Sequence, residues 1–335
     1  MKTYVIAEVG PNHNGSLKMA MEYVDKLSDI GVNAIKFQLT KPNLLFSKDS
    51  KFAKYQLQNS NYNDPKQMIK ETQLSKSSHI KIYERCLKKN IDYLCTAFDL
   101  DSIKFLNKNF KLKYFKIASG EIFSIDVLEY ISKYKKKIIL STGMASYKEI
   151  NQSIKILNSN FKKNITLLHC ISNYPVALKN VNLNVMTELK RRFRCEVGFS
   201  DHTKDIFSSI VAVSMGAKII EKHVTFDRKL KGPDHKASST ISEFDKLVKA
   251  IRKIELVKGS AENKISELEK EIANVSRKSI VASKDIKKNK TIKEGDIEFK
   301  RPGTGILPIF KNKILGKKAK VKILKDHIIQ LKDIH

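Results

Sequence analysis

The stretch EVGFSDHTKDIFSSIVAVSMGAKIIEKHVT, residues 196–225, decides how this chain folds. Two short apolar runs, EVGFSDH (Glu196 to His202) and AKIIEKHV (Ala217 to Val224), flank the helix-length segment IFSSIVAVSMG (Ile206 to Gly216). Strand, helix and strand in so few residues predict a parallel βαβ unit. Each strand also carries a histidine to its C-terminal end. The same alternation runs outward toward the N-terminus. Further strand-like runs are TYVIAEVG (Thr3 to Gly10), NAIKFQ (Asn33 to Gln38), IDYLCTAF (Ile91 to Phe98), YFKIASGE (Tyr114 to Glu121), KIILSTGM (Lys137 to Met144) and ITLLHCIS (Ile165 to Ser172). Helix-period stretches lie between them, for example LKMAMEYVDKLSDIG (Leu17 to Gly31) and KEINQSIKILNSN (Lys148 to Asn160). Eight strands alternating with helices, in a segment near the usual ~250 residues, predict an α/β protein built on a closed (β/α)8 TIM barrel. An open doubly wound sheet is the other arrangement. It calls for a G-x-G-x-x-G loop after an early strand, and GPNHNG (Gly10 to Gly15) lacks that spacing.

Beyond the eighth strand, SEFDKLVKAIRKIELVKG (Ser242 to Gly259) has the period of a last amphipathic helix. Polar SAENKISELEKEIANVS (Ser260 to Ser276) follows, and from Arg277 the chain becomes β-branched and turn-rich. The expected organisation is a barrel over 1–262, a linker over 263–276 with helical character, and a small β-rich domain over 277–335 near the minimum size for independent folding.

The 335 residues include 64 Lys and Arg against 35 Asp and Glu, a net charge of +29. Such a charge raises the possibility of a nucleic-acid or acidic-glycan binder on an inactive barrel, and 17 Lys and Arg in 276–335 favour it. The basic residues are nevertheless scattered as KK and KxK along the whole chain. No helix-turn-helix, zinc-finger or RNA-reading aromatic motif accompanies them, so a Lys-rich composition accounts for the charge and no nucleic-acid partner is expected. No long uncharged apolar run predicts a membrane span. The N-terminal MKTYVIAEVGPNHNG is too short and too polar for a signal peptide. The four cysteines (Cys86, Cys95, Cys170, Cys195) suit reduced thiols, and the expected location is the cytoplasm.

Barrel enzymes work at the C-terminal ends of their strands. Here those positions hold Glu8, Lys36, Gln38, Thr96, Lys116, Ser119, Glu121, Ser141, Ser172, Tyr174, His202, Glu221 and His223. Lys36 and Lys116 lie inside apolar strands. A lysine there either reaches solvent at a strand edge or meets an anion. With the Thr96, Ser119 and Ser141 hydroxyls, the pair describes a phosphate or carboxylate cradle. His202 and His223 end adjacent strands. Each alone fits an ordinary buried histidine, and together they suit one divalent cation completed by water and substrate oxygens, with Asp201 and Glu221 placed to orient the ligands. GPDH (Gly232 to His235) and RPGTG (Arg301 to Gly305) read as turns, and an Arg between turn glycines can also present its guanidinium to a polar ligand.

Taken together, AEVGPNHNG, IKFQ, FKIASGE, ILSTGM, LHCISNYP, FSDHT, EKHVT, GPDHKAS and KRPGTG resemble the sialic acid (N-acetylneuraminate) synthase family, which includes the legionaminic and pseudaminic acid synthases. The C-terminal segment is similar to the antifreeze-protein-like (SAF) domain of those enzymes. The resemblance implies a transferase of sialic acid biosynthesis that condenses phosphoenolpyruvate with an open-chain N-acylated mannosamine-type sugar and releases phosphate, with Mn2+ or Mg2+ as cofactor. N-acetylneuraminate is the expected product, and N,N'-diacetyllegionaminate or pseudaminate, from a 6-deoxy diacetamido hexose, is the alternative. It implies His202 and His223 as metal ligands and Glu8, Glu121, Lys116 and Glu221 as catalytic. Lys36, Gln38, Thr96, Lys116, Ser119, Ser141 and Ser172 would hold phosphoenolpyruvate. Asn59, Glu121, Tyr174, Asp234 and Arg301 would contact the sugar. It implies a homodimer in which each small domain, carrying Arg301, reaches the partner's barrel.

Overall fold

The computed structural model describes residues 2–51, 62, 64–157 and 164–335. It divides into two compact units, Met1–Gly259 and Ser260–His335. The first is the expected closed barrel. Strands β1 (Tyr4–Glu8), β2 (Ala34–Leu39), β3 (Asp92–Ala97), β4 (Tyr114–Ile117), β5 (Lys137–Ser141), β6 (Ile165–His169), β7 (Glu196–Asp201) and β8 (Ile219–Thr225) pair in order, all parallel, and β8 closes onto β1. A two-residue strand, β9 (Ser239–Thr240), pairs with the C-terminal end of β8 at Val224 and Thr225.

Alternation along each strand sorts the side chains into an outward and an inward set. Outward residues such as Val5, Ile35, Phe37, Phe115, Phe199 and Ile220 form the main core with the surrounding helices. Inward residues stack in layers. The middle layer is apolar and fully buried: Ile6, Ala34, Leu94, Ile139, Leu168 and Ile219. Gly198 completes it, because a Cβ there would lie 2.4 Å from the Ile219 carbonyl oxygen and 2.7 Å from Leu168 Cδ2. One step further along the same strands, at the same inward parity, stand Glu8, Lys36, Thr96, Lys116, Ser141, Ser200 and Glu221. The polar layer therefore sits directly on an apolar floor.

The helices begin where short polar side chains can accept their free N–H groups. Ser16, Ser75 and Asp99 cap the helices Leu17–Asp29, Lys76–Lys88 and Leu100–Asn109. Ser146 with Glu149 and Thr240 with Glu243 form reciprocal capping boxes on Tyr147–Ile156 and Ile241–Lys258. Each cap is worth about 1 kcal/mol. The helices Ile125–Ser132 and Asn184–Phe193 complete the ring along with Phe207–Ser214. No described helix is long and apolar enough to cross a membrane.

The second unit opens with the helix Glu267–Ser276, in the stretch read from sequence as a helical linker. Its strand content is smaller than the β-branched composition suggests. Strands β10 (Ser279–Ala282) and β11 (Ile297–Lys300) form one antiparallel pair, supplemented by single bridges such as Ile286 with Ile323 and Ala319 with Ile334. Turns every few residues keep the strands short. A small core of Ile280, Ile286, Ile292, Ile314, Ile323, Ile329 and Ile334 holds the unit together.

Candidate active site

Strand register assembles the site. Pairing of β1 sets Glu8 beside Lys36 on one side and beside His223 on the other. Thr96 is level with Gln38 and with Lys116, and Ser200 is level with Glu221. Residues distant in sequence thus meet on one rim at the C-terminal mouth, where barrel chemistry is carried out. They line a cavity of about 400 Å3.

At its base the two lysines are buried and meet carboxylates, rather than reaching solvent at a strand edge. Lys36 Nζ lies 2.8 Å from Glu8 Oε2 and 3.8 Å from Glu221 Oε2, and it donates to Thr96 Oγ1 at 3.3 Å. Lys116 Nζ donates to Ser141 Oγ at 2.8 Å and to the Ile117 carbonyl at 3.1 Å, with Glu221 Oε1 3.8 Å away. Burial works against the Lys36 charge, but Glu221 and Glu8 outweigh it and hold its pKa above the ordinary lysine value. Burial dominates at Lys116 and lowers its pKa, with Glu221 opposing. Glu221 keeps its charge: despite burial, Lys116 and Lys36 hold its carboxyl below the usual range. Gln38 Nε2 donates to Glu8 Oε1 at 2.9 Å.

Small residues leave room above the lysines. A Cβ on Gly143 would approach Ser172 Oγ to 2.5 Å and both Cys170 Sγ and Ser119 Oγ to 2.9 Å. The Gly143 N–H donates to Ser119 Oγ at 3.2 Å. Gly10, at φ +51°, is likewise fixed, since a Cβ there would be strained and 2.9 Å from Glu8 Oε1. Two ammonium groups with hydroxyls around them are the equipment of an anion cradle.

The histidines stand at the outer edge of this cradle. Their ring centroids are 5.7 Å apart, and Tyr174 packs on His202 at 4.1 Å and edge-on to His223 at 5.5 Å. The Ile171 carbonyl lies 2.6 Å from His202 Nδ1, leaving Nε2 facing Ser200 Oγ at 3.3 Å. His223 Nδ1 is buried without a hydrogen-bond partner, and its nearest carboxylate oxygen is Asp234 Oδ2 at 3.6 Å. Burial lowers the His202 pKa to about 4. Burial, with His202 and Lys36 adding, holds His223 well below the usual imidazole value. Both rings are neutral, the form in which imidazole binds metals. Burial, with Glu8 adding, pushes Asp234 up to about 7.

Thirteen of the residues singled out in the sequence line this one cavity: Glu8, Lys36, Gln38, Thr96, Lys116, Ser119, Ser141, Ser172, Tyr174, His202, Glu221, His223 and Asp234. Glu121 is not among the lining residues. It lies in the short 3-10 turn Ser119–Glu121, where its buried carboxylate accepts from Ser124 Oγ, so the run YFKIASGE ends as strand at Ile117. Asn59 lies outside the described residues, and Arg301 belongs to the second unit. Asp201, expected to orient a metal ligand, points instead to the outer side of β7, where it accepts from Thr203 and Ser209. Sequence reasoning missed Ser200, which donates to Glu221 Oε1 at 3.0 Å. Its spacing of two before His202 put it on the inward face, and that signal was available. Cys170, His13 and Thr40 also line the cavity.

Comparison with known proteins bears directly on this site. Residues 23–263 match the NeuB family, and residues 277–335 match the SAF domain. The chain belongs to the NeuB family. It is 42% identical over 332 residues to an N,N'-diacetyllegionaminic acid synthase of Campylobacter jejuni, covering 98% of this chain and 99% of that protein. An N,N'-diacetyllegionaminic acid synthase of Legionella pneumophila is 38% identical, covering 96% of this chain and 92% of that one. The crystal structure of an N-acetylneuraminic acid synthetase from Leptospira borgpetersenii, in complex with citrate, superposes with a TM-score of 0.73 at 33% identity over 81% of this chain and 90% of that one. This NeuB chain is an enzyme of the sialic-acid-synthase type. Its C-terminal SAF domain is the one expected from its motifs.

Proposed function

We propose that the enzyme condenses phosphoenolpyruvate with the open-chain aldehyde of a 6-deoxy diacetamido hexose to give N,N'-diacetyllegionaminate. The observation that carries the condensation is the continuity of one cavity: a dilysine anion cradle at its base and two neutral imidazoles at its edge. For the acceptor, relatives of 42% and 38% identity over almost the whole chain are legionaminic acid synthases, which favours that sugar over the N-acetylmannosamine first expected as the precursor of the commoner product of the family.

In the reaction, C3 of the enol phosphate bonds to the aldehyde carbon, water adds at C2, the C2–O bond breaks and phosphate leaves. Lys36 and Lys116 balance the negative charge of phosphate and carboxylate. Thr96, Ser119, Ser141, Ser172 and Gln38 fix its orientation by hydrogen bonding. Glu8 and Glu221 hold the two ammonium groups in place and, with Ser200, keep the rim polar where water must add. Tyr174 and Asp234 flank the acceptor. Glu121 acts through the turn it buttresses, which carries Ser119 and Gly120. Seating both reactants together removes much of the entropic barrier, on the order of 7–11 kcal/mol at best.

The residues fit a divalent metal such as Mn2+ or Mg2+. Among the described residues no group of three or more His, Cys, Asp and Glu is gathered closely enough to hold a cation alone. Two imidazoles suit a site that water and substrate complete. His202 has the pattern of a ligand, one ring nitrogen on a backbone carbonyl and the other turned inward, and His223 has a buried unpartnered nitrogen. When bound, the metal would polarise the aldehyde oxygen. Dimer formation, with Arg301 of one chain serving the barrel of another, and a cytoplasmic location complete the proposal.

The test is a panel of acylated hexosamines offered with phosphoenolpyruvate and a divalent cation, the keto acid being identified by mass. A legionaminate-sized product is expected. Turnover of N-acetylmannosamine alone would overturn the choice of acceptor, and no phosphate release with any sugar would overturn the condensation.

A further inference from the structure

Beside its lysines and histidines the cavity has an apolar part of its lining that includes Leu45 and Phe46 after β2, Met68 and Ile69 on the helix Pro65–Thr72, and Phe98 after β3. Met68 is buried, and the other four are partly buried at the edge of the space. The polar groups among them are largely engaged. Thr72 donates its hydroxyl to the Met68 carbonyl at 2.8 Å, and Gln73 Oε1 accepts from the Thr40 N–H at 3.2 Å. One is not: Thr40 is 4% exposed, lines the cavity, and its hydroxyl has no hydrogen-bond partner. By strand alternation Thr40 continues the inward face through Lys36 and Gln38.

A buried, unpaired hydroxyl beside an apolar wall is costly unless a ligand completes it. The ligand that does so offers one hydrogen-bonding group next to methyl groups. A secondary amide ending in a methyl, together with a deoxy carbon, is that combination. A sugar bearing hydroxyl groups at the same places would lay them against side chains that offer no partner. We infer that Thr40 with Leu45, Phe46, Met68 and Ile69 forms the subsite that selects a 6-deoxy hexose carrying a second acetamido group over a fully hydroxylated N-acetylhexosamine. With the aldehyde taken up beside the histidines in the proposed reaction, this wall is assigned to the part of the acceptor remote from it. The inference rests on the acceptor reading given above and assigns it to residues.

The experiment measures kcat/KM for two acceptors, N-acetylmannosamine and the 6-deoxy diacetamido mannose, with phosphoenolpyruvate and Mn2+, in the full-length wild type and in Thr40→Val, Met68→Gln and Phe46→Ser. Wild type favours the diacetamido sugar. In Met68→Gln and Phe46→Ser the ratio of the two kcat/KM values falls about ten-fold, the scale of one mismatched group in an apolar pocket. In Thr40→Val, which keeps the shape and removes the hydroxyl, the ratio falls through KM with kcat nearly constant. Thermal melting of each variant separates this from misfolding, since partial unfolding lowers both acceptors by one factor. A wild type that prefers N-acetylmannosamine overturns the acceptor reading itself. A wild type that prefers the diacetamido sugar while all three variants lower both acceptors equally leaves that reading standing and overturns the subsite.

Discussion

Lys222 and Asp201 form a buried ion pair on the outer face of β7 and β8, with Nζ 3.1 Å from Oδ2, one residue before His223 and His202 respectively. Lys222 Nζ also donates to the Thr203 carbonyl at 2.6 Å, and Asp201 accepts from the Thr203 N–H, the Thr203 hydroxyl and Ser209 Oγ. The pair fastens together the two strand ends that deliver the imidazoles. Breaking a buried pair from one side leaves an uncompensated charge, worth about 3–5 kcal/mol. Lys222→Met or Asp201→Asn alone is expected to lower the unfolding free energy by about that amount, read from the shift of the denaturant midpoint at unchanged m. The double variant Lys222→Met with Asp201→Leu recovers part of it. Equal loss in the single and double variants would show that the charges matter less than the packing.

The imidazoles give a second prediction. His202→Ala and His223→Ala should each reduce turnover by two orders of magnitude or more while the melting temperature shifts by a few degrees. Removing divalent cations with EDTA should abolish phosphate release, and Mn2+ should restore it. A rate indifferent to chelation would dispose of the metal role for both histidines.

Gly143 packs against three side chains that line the cavity, Ser172, Cys170 and Ser119. In Gly143→Ala the new methyl group lies within 2.5–2.9 Å of Ser172, Cys170 and Ser119 unless they shift. The KM for phosphoenolpyruvate is expected to rise about ten-fold, with the acceptor KM nearly constant and the fold intact by circular dichroism. A change confined to the acceptor KM would move the anion site elsewhere.

Arg301 permits a test of subunit exchange. Arg301→Ala and His223→Ala should each be poorly active alone. Co-expressed, they should regain activity, because a mixed dimer assembles one intact site from a sound barrel and a partner's sound small domain. Absence of complementation in verified mixed dimers would exclude the exchanged arrangement.

Much of this was legible in the sequence. The eight strands could be read because each is a short apolar run with a polar end, and two-residue alternation places Lys36, Lys116, His202 and His223 on the inward face without any knowledge of distances. The partners of the lysines were harder to see. Glu8 meets Lys36 through the pairing of β1 with β2, but Glu221 meets it only because β8 closes onto β1, and closure depends on register around the whole barrel. Asp201 misled for a related reason. Adjacent to His202, it necessarily faces the opposite side of the strand, where Lys222 compensates it. The Glu121 expectation was drawn from an apolar run that turns into a 3-10 segment after Ile117. Thr40 went unnoticed because a lone threonine carries no pattern until its surroundings are known.

The apolar layer of Ile6, Ala34, Leu94, Ile139, Leu168 and Ile219 has one more outcome. It seals the barrel from below, so whatever reaches the lysines has the same doorway for arrival and departure. Two reactants and an outgoing anion that share a doorway must queue. On the proposed function the anion held at the lysines would enter ahead of the acceptor, an order that follows from six hydrophobic side chains lying below the polar layer.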